Sequence, residues 1–224
     1  MREVVHKLEI GAALSAMTSN VRLNIGPMLG VALAVGIAGG LLDTVTANSS
    51  NSAGNFILFF ASIYATHMAL RTRIGADSEI KPHAARALGI NFLTFIGIFV
   101  GLLLLILPGL MLFTRWAVAI PAMMRENLSI TEAMRRSAEL TAGNRWPILG
   151  LSLVLWAPFL VLMVLVGGLA AAFLGETVTN GAPFNIVLNT LSALTTILGA
   201  ILWTECYLRL AGEARQDALA EIFA

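Results

Sequence analysis

The chain has 224 residues, 58% of them hydrophobic and 12% charged, with a mean hydropathy of +0.83. Soluble domains run at about 45–50% apolar and about 25% charged residues, so this chain has too little charge to cover a water-facing surface. A soluble globular domain and a disordered chain are both excluded. The net charge of +1 offers no basic face for nucleic acid. A single cysteine, Cys206, excludes an internal disulfide framework and a cysteine metal cluster. His6, His67 and His83 are scattered and form no ligand set, so neither a metal nor a cofactor is implied.

A helix needs roughly 20 apolar residues to cross about 30 Å of hydrocarbon. In chain order, six stretches meet or approach that length: Asn24–Thr44, Asn55–Leu70, Leu88–Leu107, Gly109–Met124, Arg145–Leu174 and Phe184–Leu210. The expected fold is an all-α polytopic membrane protein with about six transmembrane helices. It forms a single integral membrane domain over 1–224: a cytoplasmic amphipathic segment 1–22, a six-helix bundle 24–210 and a cytoplasmic tail 211–224. The first stretch is longer than the h-region of a signal peptide and is read as a permanent helix. Pro108-Gly109 predicts a tight hairpin turn within Leu103–Leu112, because Pro removes a backbone donor and Gly favours a left-handed turn.

Lys and Arg placement sets the expected orientation. Arg2, Lys7 and Arg22 precede the first span; Arg71, Arg73, Lys81 and Arg86 lie between the second and third. Arg125, Arg135, Arg136 and Arg145 lie between the fourth and fifth, and Arg209 and Arg215 close the chain. The opposite loops have none, which predicts that both termini are cytoplasmic. Arg115 alone falls in the interior of a span, away from its ends.

The segment Ser129–Ala142 reads as a surface helix. Ser129 and Glu132 make an S-x-x-E capping box, Glu132–Arg136 is an i,i+4 pair, and Gly143 suits a C-cap. Ile130, Ala133, Met134, Ser137 and Thr141 share one face; Glu132, Arg135, Arg136 and Glu139 share the other. Such a helix either lies at the headgroup boundary or docks a partner. At an offset of 120, Ile10, Ala13, Asn24, Pro27, Leu29 and Gly30 fall on Ile130, Ala133, Asn144, Pro147, Leu149 and Gly150. Together with a weaker likeness in Ser78–Leu88, this suggests three units, each a surface helix followed by a membrane hairpin.

Arg115 is the costliest residue in the chain. A charge inside a span is expensive unless paired or hydrated, and it is a functional candidate by default. Two readings stand: a structural pair with Asp43, Glu176 or Glu205, or a grip on a lipid phosphate, which a guanidinium binds bidentately. Glu205 is expected at the inner interface, exposed. His67, Asn91, Asn185 and Asn189 read as interhelical hydrogen bonds rather than a translocation path. Gly26–Gly30, Gly36–Gly40, Gly97–Gly101 and Gly168–Ala172 read as close-packing faces. Pro121 and Pro158 predict kinks, and Trp146 and Trp203 predict interface anchors. No P-loop, H-E-x-x-H or nucleophile elbow is present, so catalysis is not expected.

The run from Leu103 to Gly150 contains Leu107-Pro108-Gly109, Arg115-Trp116, Pro121, Glu126, Ala133, Arg136-Ser137, Leu140-Thr141 and Gly143-Asn144. This pattern resembles the membrane domain of the glycerophosphoryl diester phosphodiesterase family and the related bacterial membrane proteins of the YciC type. The resemblance implies a standalone membrane domain of a bacterial cytoplasmic (inner) membrane. A phosphodiesterase barrel needs about 250 residues, far more than follow the last span, so the enzyme half is expected to be absent. It also directs attention to Pro108, Gly109, Arg115, Pro121, Glu126, Arg136, Ser137 and Gly143 as a lipid or phosphate site. The expected partners are membrane lipids and a separate membrane-associated enzyme or complex. A small transporter or lipid flippase, or a structural subunit of a larger complex, are the alternatives.

Overall fold

The computed structural model describes residues 7–45, 52–75, 80–104, 106–174, 176–179 and 181–212. Among these the regular structure is helical: α1 (Ile10–Leu23), α2 (Ile25–Val45), α3 (Ser52–Ile74), α4 (Ala84–Leu104), α5 (Ile106–Trp116), α6 (Ala119–Glu126), α7 (Ile130–Leu140), α8 (Arg145–Leu174), α9 (Glu176–Thr179) and α10 (Ala182–Leu210). Four of them, α2, α4, α8 and α10, are long and apolar enough to cross a membrane. The chain is a multi-pass helical membrane protein. Phe92, Phe95, Phe99, Leu160 and Phe173 are exposed, as a surface bathed in lipid rather than water allows. Arg2, Arg215 and the tail from residue 213 lie outside the described residues.

Two expected spans differ from the structure. The second extends over Ser52–Ile74, beyond Asn55–Leu70, and carries Arg71 and Arg73 in its last turn; it is not among the four. The stretch Gly109–Met124 is two short helices, α5 and α6, separated at Ala117-Val118. Pro121 supplies the reason. In a continuous helix its ring would meet the Ala117 carbonyl four residues back, so the chain breaks there. Pro121 then sits in the first turn of α6, where a missing N–H costs least. Sequence predicted a kink at this proline; the structure has a break. At Pro158, by contrast, α8 continues without interruption.

Pro108 and Gly109 are not the hairpin turn itself. With α4 ending at Leu104 and α5 starting at Ile106, both lie in the first turn of α5. Their neighbourhood explains the glycine. A Cβ on Gly101 would stand 2.8 Å from the Gly109 Cα, and one on Gly109 would stand 2.6 Å from Leu102 Cγ. The two helices of this hairpin therefore meet backbone to backbone. On the same face of α4, Gly97 lies under the Trp116 ring.

The chain forms two compact units. One comprises Met1–Asn20, Thr66–Leu151 and Ile201–Ala224, the other Val21–Ala65 and Ser152–Ala200. In the second unit, Gly36 and Gly40 of α2 face Thr190 and Ile186 of α10. Asn189 donates to the Asp43 carboxylate at 2.9 Å and Asn185 to the Thr44 hydroxyl at 3.2 Å, so these amides are interhelical bonds. Gly26, Gly30 and Gly168 have open space where a Cβ would stand, so the expected close packing of the Gly26–Gly30 and Gly168–Ala172 faces is not seen at these glycines among the described residues.

The 120-residue repeat is visible in the helix boundaries. α1 and α7 begin at Ile10 and Ile130, and α2 and α8 at Ile25 and Arg145. Ala13 and Ala133 are each fully buried. The Met28 and Ile148 amides each bond back to the carbonyl of Asn24 or Asn144 at 3.0 Å.

Candidate functional site

Helix α7 is built as its sequence dictates. Glu132 Oε2 accepts from the Ser129 amide at 2.9 Å and from the Ser129 hydroxyl at 2.6 Å, the reciprocal start of a capping box. These two bonds to Ser129, with smaller help from Arg135 and Arg86, hold the Glu132 carboxyl below the usual carboxylate range. At the far end Gly143 has a φ of +83°, a left-handed turn that glycine takes without steric cost. Asn144 follows, buried, and its Oδ1 accepts the Leu8 amide at 2.8 Å, tying the N-terminal segment down.

The buried face of α7 carries Ala133, Ser137 and Leu140, with Thr141 buried just beyond. Two of these hydroxyls repair the helix break. Ser137 Oγ donates to the Arg115 carbonyl at 2.9 Å and accepts the Val118 amide at 3.3 Å. Thr141 Oγ1 lies 3.2 Å from the same carbonyl and 2.8 Å from the Ser137 carbonyl. Orphaned backbone groups away from water cost several kcal/mol each, and α7 supplies the partners that the break removed. The Arg115 backbone is thereby held by Ser137 on α7 and by Thr141 at its C-cap, while the Arg115 side chain is exposed.

The outer face of α7 is joined to α6 through Glu126. Glu126 Oε1 accepts Arg136 Nε at 3.1 Å and the hydroxyl of the buried Tyr207 at 3.0 Å. The expected Glu132–Arg136 pair is not formed: Glu132 is engaged by its capping box, and Arg136 turns to Glu126. Asn127 closes α6 in the left-handed region at φ 51°. Its side-chain oxygen accepts Arg86 at 3.0 Å and meets His83 Nε2 at 2.9 Å. Glu126, Leu128, Glu132, Arg135, Arg136 and Glu139 line a groove of about 320 Å³.

Glu205 is not exposed at an interface. It is 0% exposed and bound by Arg73, with Nε–Oε1 at 2.8 Å and the second guanidinium nitrogen to Oε2 at 3.0 Å. The buried Asn20 adds a bond to Oε1 at 2.9 Å and reaches the Ala69 carbonyl at 3.3 Å. The three expected partners of Arg115 therefore resolve otherwise. Glu205 belongs to Arg73, Asp43 receives Asn189, and Glu176 opens α9 with its side chain outside the described residues. Arg115 pairs with no carboxylate among the described residues. Of the tryptophans, Trp146 is 78% exposed, while Trp203 packs edge-on against Phe113 with centroids 5.9 Å apart.

The family model for the membrane domain of glycerophosphoryl diester phosphodiesterase matches residues 91–208. The chain belongs to this family. No curated protein and no solved structure matches it. The matched stretch runs from within α4 almost to the end of α10, and it is the membrane domain of such enzymes that is matched, not a catalytic one. Within this membrane domain the motif residues have distinct structural roles. Gly109 allows the α4–α5 approach, Pro121 sets the break, Ser137 and Thr141 satisfy it, Arg136 holds Glu126, and Gly143 ends the turn before α8. Asn20, Arg73 and Tyr207 carry no local sequence signal of these contacts. Arg73 read as one more loop cation, and nothing in its local spacing pointed 132 residues ahead to Glu205.

Proposed function

We propose that this membrane domain is a non-enzymatic module that binds phospholipid, or phosphodiesters derived from it, at the bacterial inner membrane, alone or in support of a lipid-metabolising partner. One observation carries the reading. Arg115 projects an exposed guanidinium from α5, without a carboxylate partner among the described residues, on a backbone clamped by Ser137 and Thr141. On a helix surrounded by lipid, an outward guanidinium needs an anion, and a lipid phosphate offers two oxygens to its planar fork. The one-sided distribution of Lys and Arg supports cytoplasmic termini.

Transport is the second reading, favoured by the interrupted α5–α6 pair, since broken membrane helices often line substrate sites. Here the backbone groups flanking the break are taken up by Ser137 and Thr141 rather than left vacant for a substrate, which supports the lipid-binding reading over it. The test is gentle extraction of wild-type, Arg115→Gln and Arg115→Lys protein, with mass spectrometry of the lipids retained. Gln should lose bound anionic lipid and Lys should keep part of it. Equal retention in all three would refute the assignment.

A further inference from the structure

The groove on the outer face of α7 has a charge pattern that an anion alone does not fit. Its six lining residues include three carboxylates and two guanidiniums. Arg136 and Glu126 neutralise each other at 3.1 Å. What remains is Arg135 with Glu132 and Glu139, one cation with a carboxylate a helical turn to either side, since residues three and four apart are neighbours on a helix. Arg135 is held weakly, at 4.0 Å from Glu139, and its side chain is 76% exposed. Glu132 spends one oxygen, Oε2, on its cap. A bare phosphate placed on Arg135 would face two carboxylates.

We propose that this groove binds the phosphoethanolamine group, a phosphodiester carrying a primary ammonium two carbons away. The phosphate sits on Arg135, and the ammonium donates hydrogen bonds to the carboxylate of Glu139, the neighbour one turn further along α7. This rests on the lipid-binding reading above and adds a second phosphate site, separate from the Arg115 grip. The lining discriminates between amines. A quaternary ammonium has no N–H to donate and is recognised by aromatic faces, and no aromatic side chain lines the groove. A primary ammonium finds the acceptors it needs. The groove's position fits a headgroup: α7 leads within five residues into α8, whose apolar run is the most hydrophobic of the membrane-crossing helices. Its volume lies at the small end of ligand sites, about 300–1,000 Å³.

The test uses the full chain in two settings. Glycerophosphoethanolamine, glycerophosphocholine and glycerol 3-phosphate are titrated calorimetrically into protein in micelles. In parallel, lipid retention is compared in bilayer discs of phosphatidylethanolamine and of phosphatidylcholine. The ethanolamine compound should bind at least about tenfold more tightly than the other two, and Arg135→Gln and Glu139→Gln should each weaken it by about tenfold, one lost charge-assisted bond. Both positions are solvent-exposed, so folding is not at stake. Selectivity in the titration alone would identify a free diester, and selectivity in the discs a lipid headgroup; either supports the proposal. Equal binding of the choline compound, indifference to both substitutions, or capture of a lysine-rich peptide without ethanolamine preference would overturn it. Arg115→Gln separates the two ideas. If ethanolamine selectivity is absent but retention still depends on Arg115, the groove assignment fails alone; if selectivity stands and Arg115 is irrelevant, the Arg115 grip fails alone.

Discussion

The Ser137 hydroxyl donates to the Arg115 carbonyl at 2.9 Å and accepts the Val118 amide at 3.3 Å, so one side chain on α7 bonds to both sides of the gap between α5 and α6. The position of the exposed guanidinium is thereby coupled to a helix outside the apolar spans. Ser137→Ala should cost about 1–3 kcal/mol, the desolvation penalty of the buried groups left unpaired. Thermal unfolding in detergent reads this out. Thr141→Val should cost less, since its bond to the carbonyl is longer at 3.2 Å. A Ser137→Ala protein that melts with wild type would contradict the role given to this hydroxyl.

Arg73 and Glu205 give a second prediction. With Glu205 fully buried and Arg73 31% exposed, Arg73→Ala leaves a carboxylate facing only Asn20. Breaking a buried pair from one side costs about 3–5 kcal/mol, and the partial exposure of Arg73 puts the expectation at the lower end. The double change Arg73→Ala with Glu205→Ala should recover part of the loss, because no uncompensated charge remains. Additive losses in that cycle would show that the two side chains do not act as a pair.

The glycines should divide sharply. Gly101→Ala and Gly97→Ala push a methyl into Gly109 and the Trp116 ring respectively and should cost about 1–3 kcal/mol as overpacking. Gly30→Ala meets nothing within 4 Å and should be neutral or slightly stabilising, because alanine is the better helix former. Melting temperatures of the three variants check this directly.

The capping box of α7 should be acid-sensitive. The Glu132 carboxyl is held low by its bonds from Ser129, so the folded state binds its proton less readily than the unfolded chain. Its contribution is present above the ordinary carboxylate value, about 4.3, and fades as pH falls through the lowered folded value. Hydrogen exchange of the first-turn amides of α7 should accelerate over that acidic window, and Glu132→Gln should remove the pH dependence. Protection that stays constant to low pH would argue against an ionised cap.

Much of this was legible in the sequence because the signals were local. Hydropathy alone located α2, α4, α8 and α10, and Arg145–Leu174 matched to the residue. The S-x-x-E cap, the buried face of α7 and the left-handed Gly143 followed from neighbours within a turn or two. Pro121 was recognised as disruptive, but whether a proline kinks or breaks a helix depends on who satisfies the freed backbone groups. That answer lay in Ser137 and Thr141, on a different helix. The same limit hid the Arg73–Glu205 pair. The Glu132–Arg136 pair failed for the complementary reason: helical spacing allowed it, but Glu126 and the capping serine competed for its two members.

The proposed grip of Arg115 on a lipid phosphate is open to direct measurement. Solid-state NMR of the protein in phospholipid bilayers, with nitrogen-15 in the arginine side chains and natural phosphorus-31, measures this contact directly. A guanidinium–phosphorus dipolar coupling at direct hydrogen-bond range is expected in wild type and should disappear in Arg115→Gln. An arginine–phosphorus spectrum identical in wild type and Arg115→Gln would contradict it.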